Sequence, residues 1–393
     1  MILTPREELA GRVVRLQKLL REKGVDGAVI VDNAGLFYFA GTVQRSWLFI
    51  PAEGDPVLLV KKSYARARQE SALNNVLPLE NIRELPSVLA GHGFGPPSCL
   101  GLELDVLPAS DYLRFRQILP DARIVDISPL ARSVRAVKSA FELELIKSAA
   151  ALSQKMFSFA KELLQEGMTE VELAGSLEGF ARRHGHVGYV RTRGFNMELV
   201  YGHLLAGENG AVPSFLESPT GGSGLTPAFP QGAGKRVIGR NEPVLIDYVT
   251  VLEGYMVDQT RVFCLGRLPE KLVRAHRAAL EIQEMLKEKG KPGAVCGGLY
   301  ELAAGMAEKY GLAGHFMGFP EPVPFVGHGL GIELNELPVI ARGSRTALEE
   351  GMVLALEPKF IFPEGVVGIE NTFVVTPGGL ETLTVFEEDV ICL

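Results

Sequence analysis

A stripe of hydrophobic residues that follows Thr4 in the sequence predicts the first helix. Thr4 starts a capping-box pattern, and apolar residues then recur at helical spacing until Gly24. Short apolar, β-branched runs at 25–31 and 57–60 predict strands. This alternation of helix and strand predicts one α/β domain over residues 1–131.

Two further capping boxes predict consecutive helices after that domain. Ser139 and Thr169 each precede a glutamate by three residues, and the two helical stretches end at Gly167 and near His184. Strands are expected to predominate beyond that point, apart from helical patterns at 269–289 and 299–310. A loop at 207–234 is rich in Gly, Pro and Ser, and loops of that length are usually functional or mobile.

Two predicted β-hairpins each bring two carboxylates face to face. The runs that end at Asp247 and Asp258 flank a turn placed between residues 252 and 253, so the two aspartates would be opposed. Glu357 and Glu370 would be opposed in the same way across a turn between residues 363 and 364. All four follow apolar runs and are expected to be buried. Buried like charges are costly, so the pairs require a counter-charge.

A metal site is the expected source of that counter-charge. Arg261 is the only basic residue expected in register beside the carboxylates, so one or two divalent cations are predicted. His328, within the glycine-rich run 327–331, could complete the site with an imidazole, although a lone histidine there is more often a core residue. The alternative is an error of one residue in register, or one carboxylate of each pair facing solvent.

Composition narrows the class of protein further. The 393 residues carry 40 Lys+Arg and 47 Asp+Glu, with no basic run longer than two residues, so nucleic acid is not an expected partner. The amino terminus lacks a signal-peptide pattern, and no apolar stretch is long enough for a membrane helix. The four cysteines are widely spaced, which argues against a zinc-thiolate site or a disulfide framework. We therefore expect a cytoplasmic protein.

The five candidate ligands resemble those of the pita-bread metallopeptidases, which include Xaa-Pro dipeptidases (prolidases), Xaa-Pro aminopeptidases and methionine aminopeptidases. The segments that match are Asp247, Asp258-Gln-Thr-Arg-Val-Phe, Gly-His328-Gly-Leu-Gly, Ala-Leu-Glu357-Pro-Lys and Gly-Ile-Glu370-Asn-Thr. Residues 32–42 and 135–139 also resemble family segments. The resemblance implies a small N-terminal α/β domain, followed over residues 132–393 by a pita-bread catalytic domain with a curved antiparallel sheet.

The resemblance also implies a chemistry for these residues. Two divalent ions (Mn, Co, Fe or Zn) would hold a hydroxide that attacks the scissile carbonyl of a peptide. Asp258 and Glu370 would bridge the ions, and Asp247 and His328 would each bind one. Glu357 would be both a ligand and the catalytic proton shuttle. A homodimer with a peptide or small-molecule substrate is implied as well.

Three positions depart from the family pattern. Ser214 and Asn335 stand where the family usually has histidines, and Gly368 stands where proline-specific members commonly have arginine. Ser214 and Asn335 can hydrogen-bond a substrate but cannot carry a proton at neutral pH. His203 could compensate in part if its strand lines the cleft, and the alternative is a strand histidine with a local partner.

The leading hypothesis is therefore a dinuclear metal-dependent hydrolase of the Xaa-Pro dipeptidase or aminopeptidase type. Two alternatives stay open. The first is a non-peptidase hydrolase or lyase on the same fold, which the replacement of two family histidines suggests. The second is a catalytically weak metal-binding homologue.

Overall fold

The computed structural model describes residues 2–393, which divide into two units. The first unit runs to Arg135 and also includes Arg193–Asn196. The second unit comprises Ala136–Thr192 and Met197–Leu393. Within residues 2–393, no helix has the length and apolar character needed to cross a membrane.

The first unit is a mixed sheet with helices. Its strands are β1 (Gly27–Ile30), β2 (Ser46–Pro51), β3 (Val57–Val60), β4 (Asn75–Pro78), β5 (Cys99–Leu102) and β6 (Arg123–Asp126). Its helices are α1 (Arg6–Glu22), α2 (Asn33–Ala40), α3 (Tyr64–Glu70), α4 (Leu85–Gly91), α5 (Ala109–Ile118) and α6 (Ser128–Ala136), the last ending at the unit boundary. The strand order is β4-β3-β2-β1-β5-β6, with β1, β2 and β3 antiparallel and the other neighbours parallel. The α/β prediction for this region is confirmed.

The start of α1 differs from its prediction. Pro5, in an extended conformation, is the N-cap residue, and Thr4 is buried instead of capping the helix. Proline serves here because its fixed φ suits the first turn and its missing N–H would have no helical acceptor. The helix end is as predicted, since Gly24 follows it with a φ of 64°.

The second unit contains four helices and three sheets. Its helices are α7 (Ala140–Leu163), α8 (Glu170–Arg183), α9 (Glu270–Lys289) and α10 (Cys296–Lys309). Its strands are β7 (Gly202–Ala206), β8 (Val244–Leu252), β9 (Tyr255–Cys264), β10 (Phe325–Gly329), β11 (Glu336–Ala341), β12 (Val353–Leu356), β13 (Lys359–Phe362), β14 (Gly365–Gly368), β15 (Asn371–Thr376), β16 (Gly379–Thr382) and β17 (Ile391–Cys392). They form the sheets β17-β9-β8-β7, β11-β10-β12-β15-β16 and β13-β14. Short 3₁₀ turns lie at Gly207–Ala211 and Ala313–His315 in this unit and at Ile82–Glu84 in the first unit.

Both capping boxes of the second unit are confirmed. The Ser139 and Thr169 side chains each accept a hydrogen bond from the backbone N–H three residues on, and the glutamate there accepts one in return. Helices α7 and α8 pack with β7–β9 around one apolar core. Helices α9 and α10 pack with β10–β16 around another.

The long loop 207–234 is anchored at both ends by one buried carboxylate. Glu170 Oε1 accepts a 2.6 Å hydrogen bond from the Ala206 N–H. Its Oε2 accepts 2.7 Å bonds from Asn209 Nδ2 and from the Gly234 N–H. Because Glu170 is fully buried, these three donors replace the water that an ionised carboxylate would otherwise need.

The register of the first hairpin differs from the prediction by two residues. Asp247 pairs with Thr260, and Asp258 pairs with Val249. The turn consists of Glu253 and Gly254, whose φ values of 49° and 86° are typical of a two-residue type I′ turn. Side chains alternate with a period of two, so a shift of two residues leaves both aspartates on the same face.

The register of the second hairpin is confirmed. Leu356 pairs with Asn371 in the β12–β15 ladder, and Lys359 pairs with Gly368 in the β13–β14 ladder. Glu357 and Glu370 lie opposite each other in the short interruption between the two ladders. An isolated bridge between Thr260 and Glu370 joins this interruption to β9.

Candidate metal centre

Four strand segments bring the predicted carboxylates to one place in the second unit. Asp247 lies on β8 and Asp258 on β9, while Glu357 directly follows β12 and Glu370 directly precedes β15. Asp258, Glu357 and Glu370 are buried, and Asp247 is half-buried. His328 on β10 faces them. The structure thus assembles all five residues that the sequence pattern singled out.

A lysine lies among these carboxylates. The Lys359 ammonium donates hydrogen bonds to Asp247 Oδ2 at 2.9 Å, Glu357 Oε2 at 2.7 Å and Glu370 Oε2 at 2.9 Å. Its side chain is 1% exposed. The expectation that Arg261 is the only basic residue beside the carboxylates is therefore wrong, and part of the counter-charge belongs to the chain itself.

Gly368 makes room for this lysine. It pairs directly with Lys359, and a Cβ at position 368 would lie 2.6 Å from the Pro358 carbonyl oxygen and 2.7 Å from the Lys359 Cα. It would also lie 2.9 Å from the Lys359 Cγ. These distances are shorter than van der Waals contact, so any side chain at 368 would displace the strand that carries Lys359.

Arg261 is on the opposite face of β9 from Asp258, because residues three apart on a strand point to opposite sides. Its Nη1 donates to the carbonyl oxygens of Thr260 at 2.8 Å and Glu370 at 2.9 Å, and its Nη2 donates to Asn371 Oδ1 at 2.9 Å. Burial lowers the pKa of Arg261 to about 10. Arg261 therefore positions the backbone of Glu370 and does not neutralise the carboxylates.

Two threonines orient the carboxylate residues, and sequence reasoning missed both. Thr260 Oγ1 donates to Glu370 Oε2 at 2.8 Å. Thr372 Oγ1 donates to the Asp258 carbonyl oxygen at 2.9 Å and accepts from the Asp258 N–H at 3.0 Å. Strand alternation was the available signal, since each threonine lies two residues from a predicted ligand on the same face.

The side of the cluster that faces His328 fits a divalent ion. His328 Nε2 lies 3.7 Å from Glu357 Oε1, 3.8 Å from Glu370 Oε1 and 3.9 Å from Asp258 Oδ2. These separations are too long for hydrogen bonds but suit ligands arranged around an ion at about 2.0–2.2 Å from each. Ligand atoms of Asp258, His328 and Glu370 all lie within 4.8 Å of one another. Asp258 Oδ1 and Glu370 Oε1 are buried acceptors without a hydrogen-bond partner in residues 2–393.

The carboxylates are electrostatically unequal. Burial, followed by the neighbouring Asp247 charge, raises the pKa of Asp258 well above its usual range. Burial and the Asp258 charge do the same for the pKa of Glu370. Burial alone would also raise the pKa of Asp247, but the Lys359 ammonium, together with His203 and Thr260, outweighs burial and lowers that pKa. A cation on the His328 side would stabilise the ionised forms of Asp258 and Glu370.

A cavity of about 260 Å³ opens onto the site. Asp247, Asp258, His328, Glu357 and Glu370 line it together with two of the predicted substrate-binding residues, His203 and Asn335. Its apolar wall is built from Met197, Leu199, Leu216, Val249, Phe325, Leu334 and Val339. Sequence reasoning did not identify this wall, because its members come from loops and three different strands.

The three predicted substrate-binding residues differ in their surroundings. Ser214 is not among the residues of the described chain that line the cavity, and its hydroxyl donates to the Pro230 carbonyl oxygen at 2.9 Å. His203 is buried, with hydrogen bonds between its Nδ1 and Thr220 Oγ1 at 2.8 Å and between its Nε2 and Gln231 Oε1 at 3.3 Å. Burial lowers the pKa of His203.

Comparison with known proteins identifies the family. The sequence model of metallopeptidase family M24 matches residues 144–377, which include all five clustered residues. The chain belongs to metallopeptidase family M24. A second model, the creatinase/prolidase N-terminal domain, matches residues 12–137 of this M24 protein.

Relatives of this M24 protein match over nearly its full length. A Xaa-Pro dipeptidase of Pyrococcus furiosus is 27% identical over 97% of this chain and 99% of its own. Among solved structures, an X-Pro aminopeptidase from Thermotoga maritima has a TM-score of 0.80 and 25% identity, covering 97% of this chain and 99% of its own. A Xaa-Pro dipeptidase from Bacillus anthracis has a TM-score of 0.83 at 24% identity, covering 98% of this chain and all of its own. The predictions of a pita-bread fold and of a metallopeptidase-type hydrolase are confirmed.

Proposed function

We propose that this protein is a metal-dependent peptidase that cleaves the bond before proline in X-Pro peptides. The observation that carries the proposal is the cluster of Asp258, His328 and Glu370 at the base of a cavity. The two carboxylates in it each have a buried oxygen without a hydrogen-bond partner in the described chain, which fits a divalent ion. Membership of family M24 supports the reaction class. The preference for proline is supported by the name of the Pyrococcus furiosus relative.

The residues at the base of the cavity would have three roles, namely metal binding, proton transfer and substrate orientation. Asp258, His328, Glu357 and Glu370 would hold the ion. A bound divalent ion would polarise the scissile carbonyl and increase the acidity of water. Glu357 lines the cavity and would carry a proton between water and the leaving amine. His203 is kept neutral by burial and would bind and orient the substrate without transferring a proton.

The donor set limits the choice of metal. Carboxylate oxygens with one imidazole suit Mn, Co, Fe or Zn, and thiolate ligands are not part of the cluster. We propose one of these four as the resident ion. The family resemblance implies two such ions.

The charges of the cavity favour a peptide longer than a dipeptide. Glu198 and Glu217 line the cavity, and no Lys or Arg of the described chain lines it. Lys359 lies behind the wall with all three of its hydrogen bonds directed to carboxylates. The free carboxylate of a dipeptide would thus meet no Lys or Arg side chain, whereas the ammonium of an amino-terminal residue would meet two carboxylates.

Peptide hydrolysis tests the proposal. Protein repleted with Mn²⁺ is incubated with Ala-Pro, Ala-Pro-amide and Ala-Pro-Ala, and release of alanine is measured. The amide and the tripeptide are expected to have the higher kcat/KM, and Asp258→Asn is expected to abolish turnover and metal content together. Asp121→Asn, an exposed aspartate of the first unit, is the control and should change neither. Failure of the metal-loaded protein to cleave any of the three peptides would refute the peptidase assignment.

A non-peptidase hydrolase or lyase is the second candidate. It is favoured by Ser214, which stands at a family histidine position and has its hydroxyl bonded to a backbone carbonyl. A screen of small amides and sulfonium compounds, with the three peptides as controls, separates the two candidates. A metal-replete protein that turns over neither class would instead be the catalytically weak homologue.

A homodimer and a cytoplasmic location complete the proposal. The homodimer is supported by the family resemblance, and the cytoplasmic location is compatible with four free cysteines, three of them buried. Light scattering on the purified protein tests the first, and fractionation of cells that express it tests the second.

A further inference from the structure

The carboxylate cluster has two sides, and only one of them lacks a cation. Glu357 and Glu370 each direct Oε2 to the Lys359 ammonium and Oε1 to the space facing His328. We propose that Lys359 permanently fills one of two cation positions, so that the site binds a single divalent ion on its His328 side.

Distances support this division. The Lys359 nitrogen is 2.7–2.9 Å from three carboxylate oxygens, which is the range of charge-assisted hydrogen bonds. A second divalent ion bound to the same oxygens at about 2.0–2.2 Å would occupy the space of that ammonium. Asp247 would then bind Lys359 through Oδ2 and would be a positioning residue instead of a metal ligand.

The lysine has no evident alternative position. Its side chain is 1% exposed, and its backbone is fixed in β13 by pairing with Gly368 and by a 3.0 Å hydrogen bond from the Met317 N–H to its carbonyl oxygen. Leaving the cluster would bury an ammonium without partners, which is strongly unfavourable. Entry of a second ion would therefore have to displace a cation that is already well bound.

The charge balance of the site is compatible with a single ion. The four carboxylates carry four negative charges when ionised, and Lys359 with one divalent ion supplies three positive charges. One negative charge then remains, which a substrate ammonium or a transferred proton can offset. A second divalent ion beside Lys359 would give this buried site a net positive charge unless a further anion, such as a hydroxide, entered with it.

Metal stoichiometry tests the inference, which rests on the metal site of the proposed function but not on peptide hydrolysis. Protein repleted with Mn²⁺ and freed of excess metal is analysed by elemental analysis and by electron paramagnetic resonance. The wild type is expected to hold one ion per chain with the hyperfine spectrum of isolated Mn²⁺. Lys359→Gly, which removes the ammonium, is expected to hold two ions with an exchange-coupled spectrum. Two ions in the wild type would overturn the inference, and so would one ion in Lys359→Gly.

Two further variants keep the test decisive. Lys138→Met removes another buried lysine, whose ammonium bonds Glu336 at 2.9 Å outside the cluster, and is expected to keep one ion. Asp247→Asn is expected to keep one ion as well, whereas loss of an ion in this variant would make Asp247 a metal ligand. If Lys359→Gly does not fold, the wild-type spectrum and the Asp247→Asn content decide the question. Peptide turnover is scored separately, so one ion without turnover refutes only the peptidase assignment.

Discussion

Removing the Lys359 charge should destabilise the metal-free protein strongly. Lys359→Met keeps the length and apolar character of the side chain but leaves three buried carboxylates without their shared donor. Loss of one partner from a buried ion pair costs about 3–5 kcal/mol. For a unit of this size, each kcal/mol corresponds to about 2–4 °C in Tm, so a decrease of about 6–20 °C is expected.

The assay is urea unfolding in EDTA and then in Mn²⁺. In EDTA, Lys359→Met should lose the stability given above. Excess Mn²⁺ should stabilise it more than it stabilises the wild type, because an ion can enter the position that the ammonium held. For scale, a ligand at 100 times its Kd contributes about 2.7 kcal/mol.

Lys138→Met is the matched control for this experiment. It also removes a buried lysine from a carboxylate, so it should lose stability in EDTA. Its gain from Mn²⁺ should equal that of the wild type, since Glu336 is not among the carboxylates of the described chain that line the cavity. A loss below about 1 kcal/mol for Lys359→Met in EDTA, or equal gains from Mn²⁺ in all three proteins, would refute the reasoning.

Three other perturbations have expected outcomes. Gly368→Ala should cost about 1–3 kcal/mol in urea unfolding through overpacking against the strand of the lysine, whereas Gly378→Ala, whose added Cβ meets its nearest atom at 3.8 Å, should be nearly neutral. Burial lowers the pKa of His186 from 6.5 to about 4, so its contribution to stability is complete above pH 6.5 and is lost as the pH falls towards 4. His186→Gln should flatten the pH profile of unfolding in that window by on the order of 2 kcal/mol after solvent screening, and an unchanged slope would contradict the assignment. Of Ser214 and Asn335, only the asparagine lines the cavity, so Asn335→Ala should raise KM for a peptide and Ser214→Ala should leave kcat/KM within about twofold. A larger effect of Ser214→Ala than of Asn335→Ala in peptide kinetics would contradict this geometry.

The two hairpins show what strand patterns can predict. The second register was predictable because its apolar runs are symmetric about Pro363 and Glu364, and the structure follows them. The first was displaced by two residues because Glu253 adopts a left-handed conformation with a φ of 49°. A glycine or an asparagine in a sequence indicates that a left-handed conformation is accessible at that position, but a glutamate does not. The face of each aspartate was nevertheless predictable from the period of two.

The cluster itself was predictable in part. The register that opposes Glu357 to Glu370 also opposes Lys359 to Gly368, so the backbone position of the lysine follows from the same pattern. The direction of its ammonium does not follow, because a lysine side chain has four rotatable bonds and its position depends on the surrounding charges. Ser214 was not predictable for a related reason: an irregular loop has no period from which the direction of a side chain can be derived.

The anchoring of the 207–234 loop by Glu170 has a consequence for substrate affinity. Leu216, Glu217 and Ser218 form part of the cavity wall, and they belong to a segment whose two ends are tied to one carboxylate. The entropy of closing this segment is therefore lost when the protein folds, not when a peptide arrives. Binding energy that would otherwise order the loop stays available for affinity. Glu170, which is not among the lining residues of the described chain, is thus expected to set how tightly the cavity binds its peptide.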